Sequence, residues 1–536
     1  MGVPHANECS EAHIEDTATA VISPDQTNEM SLTIWQTVKA NPKSIGYSVL
    51  MGVGPMCYGF DLIIISLAVT MPAFQHSYGE KVKTSYIIPS MWLALWNSML
   101  QVGSMFGAFS NGAISDRLGR KFTFILGAGI AAAAVFLVYF SDRPSTVDAR
   151  RTMFLVGKIV AGFAFGLINT SYLTMVSEIA PTRVRGPLLS CFTFFLLLGQ
   201  LAGVLSVYAR VSNHTPSSYR TVFAVPWAMA GAAIIVGFLV PESPVFQIKR
   251  NNISKALKAY KRLYSRTNAE QGLSALQSVV EHEMMAEKDQ ERGNYLQCFK
   301  GVNWRRTRII IWANILQQLV GITMVINSTY FLELGGMAAS KALQLNVVHI
   351  GVGLPCLVGT FWTMTRLGRR SVLLVGTSAI AVLWLSMGIA GCFPSSPSAL
   401  LYLGICLIII YEFYALSVGA LYPVVSAESS SIQLRAASQS IGFFVNFLFA
   451  WLFNFTVPYM FNVDAGNLGG KVGFIFSFLS VCAFFIVFFE IPEMKNRTFA
   501  VLDEMFEKRL PTRKFKDYVC AGIEVPYNKA VEAGIA

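Results

Sequence analysis

The sequence predicts an all-α membrane protein, with twelve transmembrane helices arranged as two pseudo-symmetric six-helix bundles. Three observations predict it: a composition water cannot solvate, twelve apolar stretches of spanning length, and charged motifs that recur after about 250 residues.

Composition comes first. Of 536 residues, 54% are hydrophobic and only 14% charged, with a mean hydropathy of +0.50. A soluble chain of this length needs more polar surface than that, so lipid is its solvent. The net charge of +11 would suit a nucleic-acid binder only if the basic residues lined a surface. Here they collect in gaps between apolar stretches, as basic loops on one side of a bilayer do, so no nucleic-acid partner is expected. The nine cysteines have no paired spacing. They read as small buried hydrophobes, not as disulfides or a metal site. Residues 1–44 are polar and carry no cleavable leader pattern, so the first span itself directs insertion.

A spanning helix needs about 20 apolar residues. Six stretches meet this near 46–72, 90–114, 122–140, 152–178, 187–209 and 221–240, and six more near 308–333, 343–364, 371–393, 399–426, 436–460 and 472–491. Arg117, Arg120 and Lys121 follow span 2, Arg185 follows span 4, Arg366, Arg369 and Arg370 follow span 8, and Lys508, Arg509 and Arg513 follow span 12. All lie on one side when the span count is even, and the positive-inside rule makes that side cytoplasmic, with both termini. Arg150 and Arg151 are exceptions. The expected organisation is a tail (1–44), a first bundle (45–241), a cytoplasmic helical linker (242–306), a second bundle (307–492) and a second tail (493–536). In the linker, Ile253, Leu257, Tyr260 and Leu263 recur at helical spacing among lysines. Of the Asn-x-Ser/Thr sequons, only Asn213 falls in an outer loop, which makes it the candidate glycan acceptor.

The repeat is read from three motifs. Arg117-Leu118-Gly119-Arg120-Lys121 returns as Arg366-Leu367-Gly368-Arg369-Arg370; Glu178 with Arg185 returns as Glu428 with Arg435; Pro241-Glu242 returns as Pro492-Glu493. Three matches in register imply a duplicated six-span unit, and parallel repeats of this kind place a site at mid-bilayer between rocking halves. The charged motifs all face the cytoplasm. Asp116, Arg117, Arg120, Glu178, Arg185, Arg366, Arg370, Glu428 and Arg435 are therefore candidate members of a cytoplasmic gate. The competing reading is that they only anchor loops. Inside the membrane, Asp61 in span 1 is costly unless protonated, paired or wet, and Lys158 in span 4 is its natural partner. Glu412 in span 10 reads as an interfacial carboxylate.

Gly112-x-x-x-Asp116-Arg117-x-Gly119-Arg120-Lys121 resembles the loop motif of the major facilitator superfamily. Gly59-Phe60-Asp61, Glu178–Gly186, Pro241-Glu242-Ser243-Pro244, Gln317-Gln318-Leu319-x-Gly321 and Pro492-Glu493-Met494-Lys495 resemble its sugar porter branch. Thr329-Tyr330-Phe331-Leu332-Glu333, Pro458-Tyr459-Met460-Phe461-Asn462 and Asn496-Arg497-Thr498-Phe499-Ala500 are similar to the fungal maltose permease, or α-glucoside transporter, group, as is Gly157-Lys158. The resemblance covers roughly residues 45–516. It implies the major facilitator fold, with Asp61 as proton carrier and Lys158 as its switch; the competing reading of the pair is a static tie between spans 1 and 4. It implies sugar contacts at Gln200, Gln317 and Gln318. Asn446, Tyr330 and Tyr422 are added as lining candidates, because amides and aromatic faces suit sugars.

The chain departs from the family at Thr323, itself kept as a substrate-lining candidate, at Thr193 and Pro423, and in the apolar stretch Gly442-Phe443-Phe444 where the maltose-like group often has a basic residue. The expectation is a monomeric, proton-coupled symporter of an α-glucoside or hexose, in the plasma membrane, without cofactor or metal, driven by the proton gradient. A transporter or exporter of another small organic metabolite is the alternative, and a non-transporting nutrient sensor the minor one. No nucleophile–base pair or phosphate loop suggests an enzyme.

Overall fold

The computed structural model describes residues 34–82, 85–264, 269–290, 295–393, 396–431, 434–495, 497, 499–516 and 518. Most of the first tail, most of the second beyond 518, Cys9, Cys520 and Asn496 lie outside the described residues. The twelve spans run in the predicted order. In the first half they are Pro42–Ala68, Ser90–Leu118, Arg120–Tyr139, Val147–Ile179, Thr182–Tyr208 and Ser217–Leu239. In the second they are Gly301–Ile326, Ala339–Arg366, Arg369–Ala390, Pro397–Ser429 (broken at Ser417), Arg435–Phe461 and Val472–Glu490. Among the described residues, eleven helices are apolar and long enough to cross a membrane. Span 2 is the twelfth. It has 29 residues, but Asn97, Gln101, Ser104 and Asn111 lower its hydropathy. Asn97 and Ser104 each donate to a carbonyl one turn back, Leu93 and Leu100, at 3.0 Å, which satisfies these groups without water.

Several helices outrun their apolar cores. Span 7 starts at Gly301 rather than near 308 because its first arginines have protein partners: Arg306 pairs with Asp503, and Arg305 donates to the Leu510 carbonyl at 2.6 Å. These contacts dock the helix Phe499–Glu507 and the buried Phe515 beneath the second half. The linker forms helices Pro244–Lys249, Ile253–Leu263 and Ala269–Gln290 around a small core of Ile248, Ala256, Tyr260, Ala269, Leu273 and Val280. Ile253, read as core-facing, is 41% exposed, because the buried face centres on Ala256, Ala259, Tyr260 and Leu263. The linker packs beneath the first half, where the Tyr264 hydroxyl donates to the Ile179 carbonyl at 2.8 Å and Arg262 to that of Leu239 at 2.6 Å.

The outer loops hold two surprises. Glu80–Val82 pairs antiparallel with Ser85–Ile87 in a short hairpin. The two arginines that break the positive-inside pattern are occupied structurally. Arg151 is buried, pairs with Glu80 at 2.8 Å and donates to the Tyr78 carbonyl at 2.8 Å; Arg150 donates to the Pro144 carbonyl at 2.7 Å.

The halves differ in how their inner helices touch. In the first, spans 2 and 4 meet through glycines. A Cβ on Gly103, Gly107, Gly162 or Gly166 would lie 2.1–2.3 Å from a backbone oxygen of the opposite helix, a spacing only hydrogen tolerates. The capping residues Thr146 and Ser396, each bonded to the amide three residues on, fix a shift of 250 from span 4 to span 10. The buried Asn97 and Asn346 agree with the shift of 249 from span 2 to span 8. These shifts carry the four glycines onto Val352, Cys356, Glu412 and Leu416.

Candidate functional site

The buried charge lies in the first half. Asp61 is held at 9% exposure by the apolar run of span 1, and Lys158 at 1% on span 4. The Lys158 ammonium donates to Asp61 Oδ1 at 2.8 Å and lies 5.5 Å from the centre of the Phe154 ring. Asp61 Oδ2 accepts no hydrogen bond among the described residues. An ion pair this dry is stable only while both partners stay charged. A proton on Asp61 would release Lys158, so the geometry suits a proton-dependent tie between spans 1 and 4.

The second half supplies the amides. Gly321, with φ +84, breaks span 7 just after Gln318. A side chain there would be strained and would meet Trp384 at 2.7 Å. The turn brings Thr323 Oγ1 back to donate to Gln318 Oε1 at 2.7 Å, so two candidate residues form one unit. Span 10 breaks at Ser417, between two tyrosines that serve the other amide. Tyr414 donates to Gln317 Oε1 at 3.1 Å, and the Tyr422 hydroxyl also reaches Gln317. Asn446 donates to Asn314 Oδ1 at 3.5 Å, and Asn314 in turn donates to Ser426 Oγ at 3.3 Å. Gln200 is buried on span 5.

Tyr330 is a correction. It does not line this path: it is 1% exposed, edge-on to Phe461, and its hydroxyl donates to Asn462 at 3.1 Å. It belongs to the outer closure, where the halves are joined by several hydrogen bonds. Gln75 donates to Glu333 at 3.1 Å, Asn462 to the Ile88 carbonyl at 2.9 Å, the Ser90 amide to Asp464 at 2.7 Å, and Gln344 to the Tyr208 hydroxyl at 3.2 Å. Asp464 thereby caps span 2 from the opposite half. Asn213 is exposed, and its Oδ1 accepts from Thr215 N at 3.1 Å within its own sequon.

The cytoplasmic motifs form the same network twice. Arg120 donates to Glu178 at 3.1 Å and to Asp116 at 3.3 Å, while Glu242 accepts from the amides of Arg120 and Lys121 at 3.1 and 3.2 Å. In the copy, Arg369 donates to Glu428 at 3.2 Å, and Glu493 accepts from the amides of Arg369 and Arg370 at 2.9 and 3.2 Å. Burial pushes the Glu242 carboxyl up, and the amides of Ser243, Lys121 and Arg120 pull it partly back. These pairs stay inside their own halves. Arg117, Arg185 and Arg366 are exposed, Arg370 donates to the Phe488 carbonyl at 2.8 Å, and Arg435 opens span 11 half-buried. Glu178 and Arg185 recur together as a motif, but the partner of Glu178 in the structure is Arg120, which follows the helix end at Gly119.

Sequence reasoning missed Asn314, Tyr414 and the place of Glu412. Amides and tyrosines on spans 7 and 10 were the available signal for the first two. Glu412 is not interfacial: it is the fifteenth residue of the 32-residue stretch Ser398–Ser429 and 9% exposed.

A family model described as "Sugar (and other) transporter" matches residues 48–506. The MFS transporter fmqE of Aspergillus fumigatus is 31% identical over 91% of this chain and 92% of its own length. The general alpha-glucoside permease of Saccharomyces cerevisiae is 27% identical over 94% and 82%. Among solved structures, the inward-open xylose transporter XylE from E. coli overlays with a TM-score of 0.70 at 20% identity, covering 86% of this chain and 99% of that one; this is a likeness of fold.

Proposed function

We propose a function for a chain that belongs to the sugar (and other) transporter family, of the major facilitator type: proton-coupled uptake of a sugar, foremost an α-glucoside, by alternating access. The chain is a multi-pass membrane transporter and not an enzyme. The observation that carries the proposal is the dry Asp61–Lys158 pair, at 2.8 Å, in a chain whose other half holds the amide–tyrosine cluster. A proton arriving from outside neutralises Asp61 and frees Lys158. Substrate hydroxyls exchange hydrogen bonds with Gln317, Gln318, Asn446 and Gln200. The halves then rock, and the proton leaves on the cytoplasmic side as the pair re-forms. In this reading Arg185, exposed here, finds a carboxylate when the cytoplasmic side closes. The protein works as a monomer in the plasma membrane with both termini cytoplasmic.

The α-glucoside permeases among its relatives support the substrate class. A second reading, transport of a less hydroxylated metabolite, is favoured by Thr323 in the amide cluster and by Phe443 and Phe444, 54% and 47% exposed on span 11. Uptake of labelled maltose in a transporter-deleted yeast tests the leading reading. Accumulation that rises as the medium is acidified and collapses with a protonophore supports it. Accumulation indifferent to both contradicts it, and absence of maltose, hexose and xylose uptake in cells that expel an apolar metabolite turns the assignment to the second reading.

A further inference from the structure

The carboxyl at the centre of span 10 stands apart from the machinery above. Glu412 lies about 22 Å along its helix at 1.5 Å per residue, 9% exposed. Among the described residues neither of its oxygens accepts a geometric hydrogen bond, and none of the described ion pairs includes it. The Cys356 thiol of span 8, a weak donor, is a polar neighbour of the carboxyl. Gly353 of span 8 faces the carboxyl at 3.7 Å from where a Cβ would stand, and the same point is 3.7 Å from Leu197 of span 5, in the opposite half. Glu412 therefore sits at a seam between the halves. The titratable groups around it are Cys356 from span 8 and Tyr411 from its own helix; His349 of span 8 packs edge-on against Tyr411 at 4.2 Å. Span 5 offers Leu197.

This place exists because the second half abandons the glycine contact of the first. Glu412 stands where Gly162 presses on span 2, and Cys356 stands where Gly107 does. A carboxylate without a cation at this depth is costly, and a neutral carboxyl far less so.

We propose that Glu412 is a second proton-binding site, occupied in the state closed at the outer end. The proton resides on one carboxyl oxygen, and the other, as the C=O, faces the Cys356 thiol. In the same state Asp61 is ionised against Lys158, so the two halves hold opposite protonation states. The seam moves when the halves rock, which exposes Glu412 to a wetter setting where it gives the proton up. Its part in transport rests on the proton-driven reading above; its protonation does not, and is tested without substrate.

The test is infrared spectroscopy of the purified full-length protein at neutral pH, as the difference between wild type and Glu412→Gln. The expected result is loss of a protonated-carboxyl C=O band, with the band retained but shifted in Glu412→Asp and unchanged in Asp61→Asn. No difference band, or loss of an ionised-carboxylate band instead, overturns the proposal. Should Glu412→Gln fail to fold, Cys356→Ser serves: a stronger donor at that position shifts the C=O band, and an unmoved band is the contrary outcome. Failure of proton-driven maltose uptake would leave these spectra as they are, so the two readings fail separately.

Discussion

The two halves share a skeleton and divide at its interior. Their cytoplasmic networks repeat the same partners: Arg120, Glu178 and Glu242 in one do what Arg369, Glu428 and Glu493 do in the other. At mid-bilayer the likeness ends. The first half packs spans 2 and 4 glycine against backbone and encloses one ion pair. The second replaces all four glycines with larger side chains, breaks two spans at Gly321 and Ser417, and fills the space with amides, tyrosines and a carboxyl. Duplicated structure thus keeps the parts that hold helix ends and changes the interior, where the proposed function puts the cargo. The first half is built as a rigid electrostatic element, the second as an adaptable lining.

The comparison breaks first at the ion pair. Lys158→Met strands Asp61 in a dry site and is expected to cost about 3–5 kcal/mol while the carboxylate stays charged. The thermal midpoint in detergent should drop at neutral pH and recover in the double variant with Asp61→Asn. A midpoint unmoved by Lys158→Met would remove the rigid element. Next comes the glycine contact. Gly162→Ala puts a methyl 2.2 Å from the Leu100 carbonyl and should cost about 1–3 kcal/mol, while Leu416→Met, at a position the second half has already filled, stays under about 1.5 kcal/mol. Equal losses would mean that the halves pack alike.

The helix-end networks sharpen the likeness instead. Glu242→Ala and Glu493→Ala should each cost about 1 kcal/mol, since each removes a cap from the start of an equivalent span. Glu242 adds a pH signature. Burial holds its carboxyl above the ordinary value, so its contribution is full below the unfolded value and is lost as pH rises through the folded one. Glu242→Gln should flatten that decline in a melting series run across the carboxylate range. The smallest expected effect is at Arg185, exposed in this state: Arg185→Ala should stay within about 0.5 kcal/mol, yet change transport rate if the residue closes the cytoplasmic side.

Much of the fold is legible in the sequence because lipid imposes it: span length and basic loops leave few alternatives. The proximity of Asp61 and Lys158 follows from their depths, and Gln317 and Gln318 announce a polar lining. What stays hidden depends on contacts between distant segments. Tyr330 looks like a lining aromatic until Asn462 takes its hydroxyl. Arg150 and Arg151 look misplaced until the loop carbonyls and Glu80 bind them. Glu412 is read as interfacial although the span read from the sequence, 399–426, already puts it near the middle, as does the helix that starts at Pro397.

The division of labour is tested most directly in proteoliposomes, with labelled maltose and a methyl α-glucoside, by comparing Asp61→Asn with Gln317→Ala. The account predicts that Asp61→Asn abolishes accumulation driven by an inward proton gradient but keeps counterflow and substrate preference. It predicts that Gln317→Ala weakens or alters substrate preference while whatever still enters remains proton-driven. Proton-driven accumulation by Asp61→Asn, or loss of coupling in Gln317→Ala, would contradict it.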